Sequence, residues 1–126
     1  MDDPSRPFEG LAALDRLVHD PARLAILTAL DSATEIDFLF LQRLTGLTKG
    51  NLSSHLFKLE EAGLARIEKG FVGKVRRTTI HSTERGLVAV DDHWRRLECL
   101  RGDALTWRAT TGRVGAGDRA NAAPAR

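Results

Sequence analysis

The stretch Asn51–Gly63, NLSSHLFKLEEAG, decides which fold we predict for this chain. Its apolar side consists of leucines at helical spacing, Leu52, Leu56 and Leu59. Its opposite side carries short polar side chains and one cation, Asn51, Ser53, Ser54 and Lys58. A helix that only needs to be soluble usually carries long charged side chains on its outer face. A slim polar face instead favours a helix that enters a groove.

A second helix is predicted directly before this one, at Phe38–Thr45. Asp37 can cap its start and Gly46 can end it. Leu47-Thr48 then forms a tight turn, and Thr48 can cap the slim helix, which we call the recognition helix and predict at residues 49–62. Two helices joined by a turn of a few residues are typical of a helix-turn-helix.

Two further helices are predicted upstream of this motif. The first is placed at Phe8–Val18 because apolar residues recur there at helical spacing. The second begins at Asp20-Pro21, where an N-cap precedes a proline at the first helical position, and ends near Asp31. In the connection that follows, Ile36 can form a strand of one or two residues.

The periodicity changes from helix to strand after Gly63. The segment LARIEK alternates with a period of two, and KVRRTTIHS is rich in β-branched residues. We predict a β-hairpin at residues 64–82, which we call the wing, with a basic, glycine-containing tip. Thr83 can cap a last helix at residues 84–108. The predicted fold is mainly α with a β-hairpin wing, a winged helix-turn-helix with N- and C-terminal dimerisation helices.

The last helix carries an apolar stripe with steps of three and four residues, which resembles a coiled-coil seam. This stripe is more apolar than a monomer of this size should expose, so we predict a homodimer. The predicted interface joins the first helix to the last: Leu11, Leu14, Val18, Leu87, Val90, Trp94, Leu97 and Leu100.

The length of 126 residues fits one domain with one core. We place it at residues 8–109, after a flexible N-terminus at 1–7 and before a disordered tail at 110–126 that is rich in Gly and Ala. No apolar run approaches the roughly 20 residues that span a bilayer. The acidic N-terminus lacks the apolar core of a secretion signal, and Cys99 is the only cysteine. These features predict a cytoplasmic protein without disulfides and without a membrane partner.

The net charge of +2 is distributed unevenly along the chain. Residues 1–47 hold four arginines and eight acids, a net charge of −4. Residues 48–81 hold seven cations and three acids, a net charge of +4. An ordinary mixed surface is one interpretation, and a localised anionic partner is the other.

The segments HDPARLAILTAL and DFLFLQRLTGLTKGNLSSHLFKLEEAGLARIEKGFVGKVRRTTIHSTERG resemble the small bacterial winged-helix regulators of the MarR/ArsR-like group. The pattern is similar to a short subgroup with a GLTxGNLSSHLxKLExAG recognition helix and an EKxFxGKxxRTT wing, and covers roughly residues 11–100. The resemblance implies a dimeric transcriptional regulator that binds double-stranded DNA.

The predicted DNA-binding residues lie on the recognition helix and the wing: Thr48, Lys49, Gly50, Asn51, Ser53, Ser54, Lys58, Lys69, Lys74, Arg76 and Arg77. Gly50 lets the backbone approach DNA, and Asn51 can pair with adenine in the major groove. Strand alternation places Arg76 and Arg77 on opposite faces, so one can reach a groove while the other follows a phosphate or pairs with an acid. The predicted output is repression at a palindromic operator. Whether a small-molecule inducer exists is left open.

For several other residues the sequence leaves two possible roles open. Phe57 is expected to pack against the wing or the preceding helix, or to contact a thymine methyl. His55 is expected to satisfy a core hydrogen bond or touch a phosphate. Glu60 and Glu61 form a solvated face or pair with arginines. Cys99 is expected to be a buried small hydrophobe, with a redox switch as the alternative.

Other classes of function are less compatible with the sequence. A winged helix that binds only proteins is the main alternative, but the wing keeps its cations. One kind of metal sensor would need clustered cysteines, and this chain has a single cysteine. Another kind would need two further ligands after Asp91-Asp92-His93, but Ala104 and Trp107 stand at the positions where those ligands should be. Ser53, Ser54 and His55 diverge around a helix, so they form no nucleophile–base pair. We therefore predict no catalytic residues, no metal and no cofactor.

Overall fold

The computed structural model describes residues 5–111, and within this range the chain forms five helices and three strands. They are α1 (Glu9–Ala12), α2 (Pro21–Ala33), β1 (Glu35–Asp37), α3 (Phe38–Thr45), α4 (Lys49–Glu61), β2 (Ala65–Val72), β3 (Val75–Ser82) and α5 (Glu84–Thr111). The predicted flexible N-terminus and disordered tail lie outside the described residues at positions 1–4 and 112–126.

The chain divides into two compact units. One, Asp15–Arg95, is called here the winged-helix unit, and the other, formed in the described range by residues 5–14 and 96–111, the terminal unit. The helix α5 contributes residues to both.

The sheet of the winged-helix unit is antiparallel, with the strand order β1-β3-β2. In its register Ile80 lies opposite both Ile36 and Ile67, so these three side chains share one face. Ile36 and Ile80 are buried and Ile67 is partly buried, which identifies this face as the one on the core. The predicted strand at Ile36 is confirmed, although β1 has three residues.

The core of the winged-helix unit is built from helical leucines and isoleucines that pack on this sheet face. It includes Ile26, Leu27, Leu30, Leu41, Leu52, Leu56, Leu59 and Leu64. Each fully buried leucine contributes about 1.5–3 kcal/mol to the free energy of folding. The predicted apolar side of the recognition helix is therefore confirmed as its inner side.

The predicted capping residues account for the helix boundaries. Asp20 accepts a hydrogen bond from the Arg23 backbone N–H at 3.0 Å, and Asp37 accepts from the N–H groups of Leu39 and Phe40. Thr48 accepts from the Asn51 N–H at 3.1 Å, so α4 begins where it was predicted. Gly46 ends α3 with φ 71°, in the left-handed region that favours glycine.

The first helix is shorter than predicted, because α1 spans Glu9–Ala12 instead of Phe8–Val18. Local hydrogen bonds at Asp15 offer the backbone an alternative to continued helix: its carboxylate accepts from the Leu17 N–H at 2.8 Å, and its carbonyl accepts from the His19 N–H at 2.7 Å. Val18 thereby reaches the core.

Other boundaries differ by one to three residues. Helix α2 continues two residues past Asp31 and ends at Ala33, and its C-cap residue Thr34 has a φ of 59°. Helix α4 ends one residue before the predicted position 62, and α5 continues three residues past 108. Positions 110 and 111 are therefore helical, although the sequence placed them in the tail.

The predicted dimer interface needs correction. Val18 and Val90 belong to the core cluster of the winged-helix unit, and Leu14 is also buried, so these three side chains are not exposed to a second copy. The stripe on α5 was ambiguous because a core-facing side and an interface seam share the same spacing. The Trp94 indole donates to Thr28 Oγ1 at 3.0 Å, which joins α5 to α2.

The terminal unit contains contacts that the sequence did not suggest. The rings of Phe8 and Trp107 lie edge to face, with centroids 5.3 Å apart. Gly10 lies so close to Leu100 that a Cβ at position 10 would come within 2.7 Å of a Leu100 methyl. The segment at α1 therefore packs on the last turns of α5.

Candidate DNA-binding surface

The helix α4 turns its polar side chains to solvent. The predicted contact residues on and just before it are all exposed: Thr48, Lys49, Gly50, Asn51, Ser53, Ser54 and Lys58. A Cβ added at Gly50 would meet no atom within 4 Å, so the glycine is not required for packing within the chain. Open space beside the first turn of α4 is what a closely approaching ligand backbone needs.

The wing is formed by β2 and β3, and its predicted cations Lys69, Lys74, Arg76 and Arg77 are exposed. Cross-strand partners in the register point to the same face. Lys69 opposes Thr78 and Arg76 opposes Phe71, on the face that carries the core residues nearer the base of the wing. Arg77 opposes Gly70 on the other face. The predicted divergence of the two arginines is confirmed by this register.

Arg77 pairs with an acid of its own chain. Its Nε lies 3.5 Å from Asp37 Oδ1, in the same carboxylate that caps α3. On the same face of the sheet, His81 lies 2.9 Å from Glu68 and 3.8 Å from Glu35. This face is therefore lined by carboxylates, whereas Lys69 and Arg76 occupy the opposite one.

A groove of about 610 Å³ runs between α4 and the wing. Lys49, Ser53 and Phe57 line it from the helix, and Lys69 and Thr78 line it from the strands. Phe57 is 60% exposed, so the expected packing of its ring against the wing or α3 is incomplete. The groove brings two of the predicted contact lysines and one predicted contact serine to a single surface.

Glu60 has a structural role that the sequence did not reveal. Its carboxylate accepts a hydrogen bond from the Ile67 N–H at 2.9 Å and so joins α4 to β2. The sequence had suggested a solvated side chain or an arginine partner. Glu60 therefore serves as a link between the recognition helix and the first strand of the wing.

Arg23 connects the segment before α2 to the middle of α4, and sequence reasoning missed this contact as well. Its guanidinium donates to Leu17 O at 2.6 Å and to Arg16 O at 3.3 Å, and its third contact is His55 Nδ1 at 3.1 Å. Because a guanidinium can only donate, His55 accepts through Nδ1. His55 therefore makes the expected hydrogen bond in a partly buried position, and its partner lies 32 positions away along the chain.

Asp20 completes this network. The backbone hydrogen bond from Arg23 lowers the pKa of the Asp20 carboxyl below its usual value of 3.8, and the Arg23 charge adds to the effect. Burial raises the pKa and is second in size to the hydrogen bond, but the influences that lower the pKa outweigh it together. The carboxylate form of Asp20 is therefore favoured in the folded chain.

The residues considered for metal binding and redox chemistry were the histidines, Cys99 and the acids. Over residues 5–111, no group of three or more His, Cys, Asp and Glu residues could hold a metal ion. His93 is buried and hydrogen-bonded to His19 at 3.0 Å. Cys99 is exposed, so the expectation that it is a buried hydrophobe is wrong. No helix in this range is long and apolar enough to cross a bilayer.

Comparison with known proteins agrees with this geometry. The model of a family described as winged helix DNA-binding domain matches residues 22–100. The uncharacterized protein MJ0432 of Methanocaldococcus jannaschii is 32% identical over 78 residues, which cover 62% of this chain and 85% of that protein.

Two solved structures are similar. A transcriptional regulator homologue from Pyrococcus horikoshii is 27% identical with a TM-score of 0.70, covering 75% of this chain and 95% of that one. A MarR-family transcriptional regulator from Silicibacter pomeroyi has a TM-score of 0.56 at 20% identity, covering 93% of this chain and 73% of that one. The second likeness shows the fold alone.

A recognition helix with an exposed polar face beside a basic hairpin defines a winged-helix protein that binds DNA. This chain belongs to the winged helix DNA-binding domain family, and its fold is that of MarR-type regulators. Residues 22–100 form its winged-helix DNA-binding domain. The predicted winged helix-turn-helix fold and the family resemblance are confirmed, whereas the role of the terminal helices in dimerisation stays a prediction.

Proposed function

We propose that this chain is a sequence-specific repressor that binds a palindromic operator as a homodimer. One observation carries the proposal: all three leucines of α4 are buried, and its short polar residues are exposed beside the cations of the wing. A helix in the major groove needs this slim outer face, and a hairpin beside it reaches the backbone or the minor groove.

The proposed roles follow from the position of each side chain. Asn51, Ser53 and Ser54 read base edges, while Lys49 and Lys58 contact phosphates that flank the major groove. Lys69, Lys74 and Arg76 contact the backbone or the minor groove. Arg77 contributes less, because binding DNA competes with its ion pair to Asp37. Exposed ion pairs contribute only about 0–1 kcal/mol, so this competition is modest.

The homodimer is supported by exposed apolar side chains of the terminal unit. They are Phe8, Leu11, Leu105 and Trp107. Of the residues predicted for the interface, Leu11, Leu97 and Leu100 lie in this unit, and Leu87 and Trp94 lie in the winged-helix unit. We propose that the terminal units of two copies pack together and bury this apolar surface.

A symmetric dimer would present two copies of α4 to half-sites about one helical turn apart, roughly 10–10.5 base pairs. Repression then follows from occupancy, because a bound dimer blocks access of polymerase to the promoter. The regulated genes would be those whose promoters contain this palindrome.

Selection of bound fragments from genomic DNA tests the proposal. The full chain is expected to enrich a palindromic motif and to shift it in a gel, with affinity that falls steeply as salt rises. A repressor lowers transcription from a promoter that contains the motif in a purified system. Enrichment without a motif would contradict sequence-specific reading, and absence of any duplex binding would favour the protein-interaction alternative.

A further inference from the structure

The tip of the wing is apolar as well as basic. Phe71 is 70% exposed, Val75 69% and Val72 56%, and the first two are the most exposed large hydrophobics in the part of the chain that the structure describes. Apolar side chains of this size are rarely placed together on a protruding turn without a partner.

The register arranges these side chains around a tight turn. Val72 opposes Val75 on one face, and Phe71 opposes Arg76 on the other. Gly73, with φ 64°, lies in the two-residue turn between the strands. The ring of Phe71 is therefore presented next to a guanidinium, on the face that also carries Lys69.

The charge of the segment selects the class of partner. Residues 69–77, KGFVGKVRR, contain four cations and no acid. An apolar tip surrounded by cations matches the DNA minor groove, where phosphates line both edges and base pairs form the floor. Phe is among the side chains that architectural proteins insert between base steps from this groove. Lys69 lines the groove beside α4 and shares a face of the wing with Phe71, so DNA bound against α4 as proposed would lie on the side of the wing that carries Phe71.

We propose that the wing inserts Phe71 as a wedge between two base pairs in the minor groove, with Arg76 on the adjacent phosphate, and that this insertion bends the operator. The inference rests on the proposed function and adds to it a second means of specificity. Steps that unstack easily, such as TA and CA/TG, would be preferred beneath the wing, independently of the bases that α4 reads.

The test is the bend angle of bound DNA, measured by energy transfer between dyes on the ends of a duplex recovered by the full chain from a random library. At saturating protein the wild type is expected to bend it by about 20–90°. Phe71→Ala is expected to lose most of the bend, with affinity reduced by less than about tenfold, because the stacking gained by the wedge is largely offset by the stacking it disrupts.

Two further variants make the result specific. Phe71→Leu keeps an apolar wedge and is expected to retain the bend. Val88→Ala changes an exposed apolar residue of α5 that is not part of the wing tip, and should bend DNA like the wild type. The inference is overturned if the wild type leaves the duplex straight or if Phe71→Ala bends it equally. A wild type that binds no duplex at all would instead remove the proposed function itself.

Discussion

At the scale of single residues, two kinds of contact have different consequences. A side chain that pairs with a base edge discriminates between sequences, whereas a cation on a phosphate strengthens binding to every sequence. We propose that Asn51 makes the first kind of contact, with a base edge, and Arg76 the second, with a phosphate. Arg77 forms an ion pair with Asp37, so its expected contribution to DNA binding differs from that of Arg76.

Asn51→Ala is therefore expected to change which sequence is preferred, whereas Arg76→Ala should weaken binding to all duplexes. Arg76→Ala should also reduce the slope of log affinity against log salt by about one. Arg77→Ala should have a smaller effect than Arg76→Ala. Fluorescence anisotropy on matched and mismatched duplexes over a salt series measures all three. If Asn51→Ala and Arg76→Ala act identically, the division into reading and anchoring is wrong.

Asp20 makes a prediction about stability and pH. Removal of the N-cap in Asp20→Ala should lower the free energy of unfolding by about 0.5–2 kcal/mol near neutral pH. Because the pKa of Asp20 is lowered on folding, its carboxylate stabilises the fold fully above pH 3.8 and this contribution is lost as pH falls below that value.

Denaturant titrations from pH 7 down to pH 3 provide the measurement. Asp20→Asn is the matched control, because asparagine caps a helix about as well as aspartate but does not titrate. The difference in stability between wild type and Asp20→Asn should shift against the wild type on acidification. A difference that is constant with pH would contradict the assignment.

At the scale of elements, α4 and the wing work together only if their relative position is defined. Glu60 ties α4 to β2, and Arg23 connects His55 of α4 to the backbone of residues 16 and 17. Neither contact is a DNA contact, and both act through the position of the recognition helix.

Arg23→Ala should destabilise the winged-helix unit by about 1 kcal/mol, because two partly buried acceptors, Leu17 O and His55 Nδ1, lose a charged donor. Arg23→Lys should rescue little of this loss, since an ammonium cannot reproduce the fork of the guanidinium. Arg95→Ala is the control, because Arg95 pairs with Asp91 on the exposed surface of α5. Thermal unfolding measures the three variants. An Arg23→Ala protein as stable as Arg95→Ala would show that the network is dispensable.

The elements also show what sequence can predict. Helix α3 was predicted to the residue because Asp37 and Gly46 mark its ends with local chemistry. Long-range contacts carry no such mark, so the Arg23–His55 and Glu60–Ile67 hydrogen bonds were not foreseen. Val90 was assigned to the dimer interface because helical spacing does not distinguish a core of one chain from a seam between two. The exposure of the polar side of α4 could be predicted, because burial of the leucines on one side of a helix turns the opposite side to solvent.

At the scale of the whole molecule, the proposed operator geometry depends on dimerisation. Leu11→Glu with Leu105→Glu places two charges on the exposed apolar surface of the terminal unit and should yield monomers by light scattering. Charges there should be tolerated in the monomer, because both positions are more than 40% exposed. Val88→Glu, in the winged-helix unit, is the control and should stay dimeric. A Leu11→Glu, Leu105→Glu protein that remains dimeric would place the interface elsewhere.

The central claim is that the outer face of α4 enters the major groove of duplex DNA. Anisotropy titration of a selected duplex with the wild type and with Ser53→Glu, Ser54→Glu tests it most directly, because both serines are exposed and the substitutions place two carboxylates against phosphates and bases. The wild type should bind with a steeply negative dependence of log affinity on log salt, and the variant should lose binding while it still unfolds cooperatively. A folded variant that binds as tightly as the wild type would contradict the account.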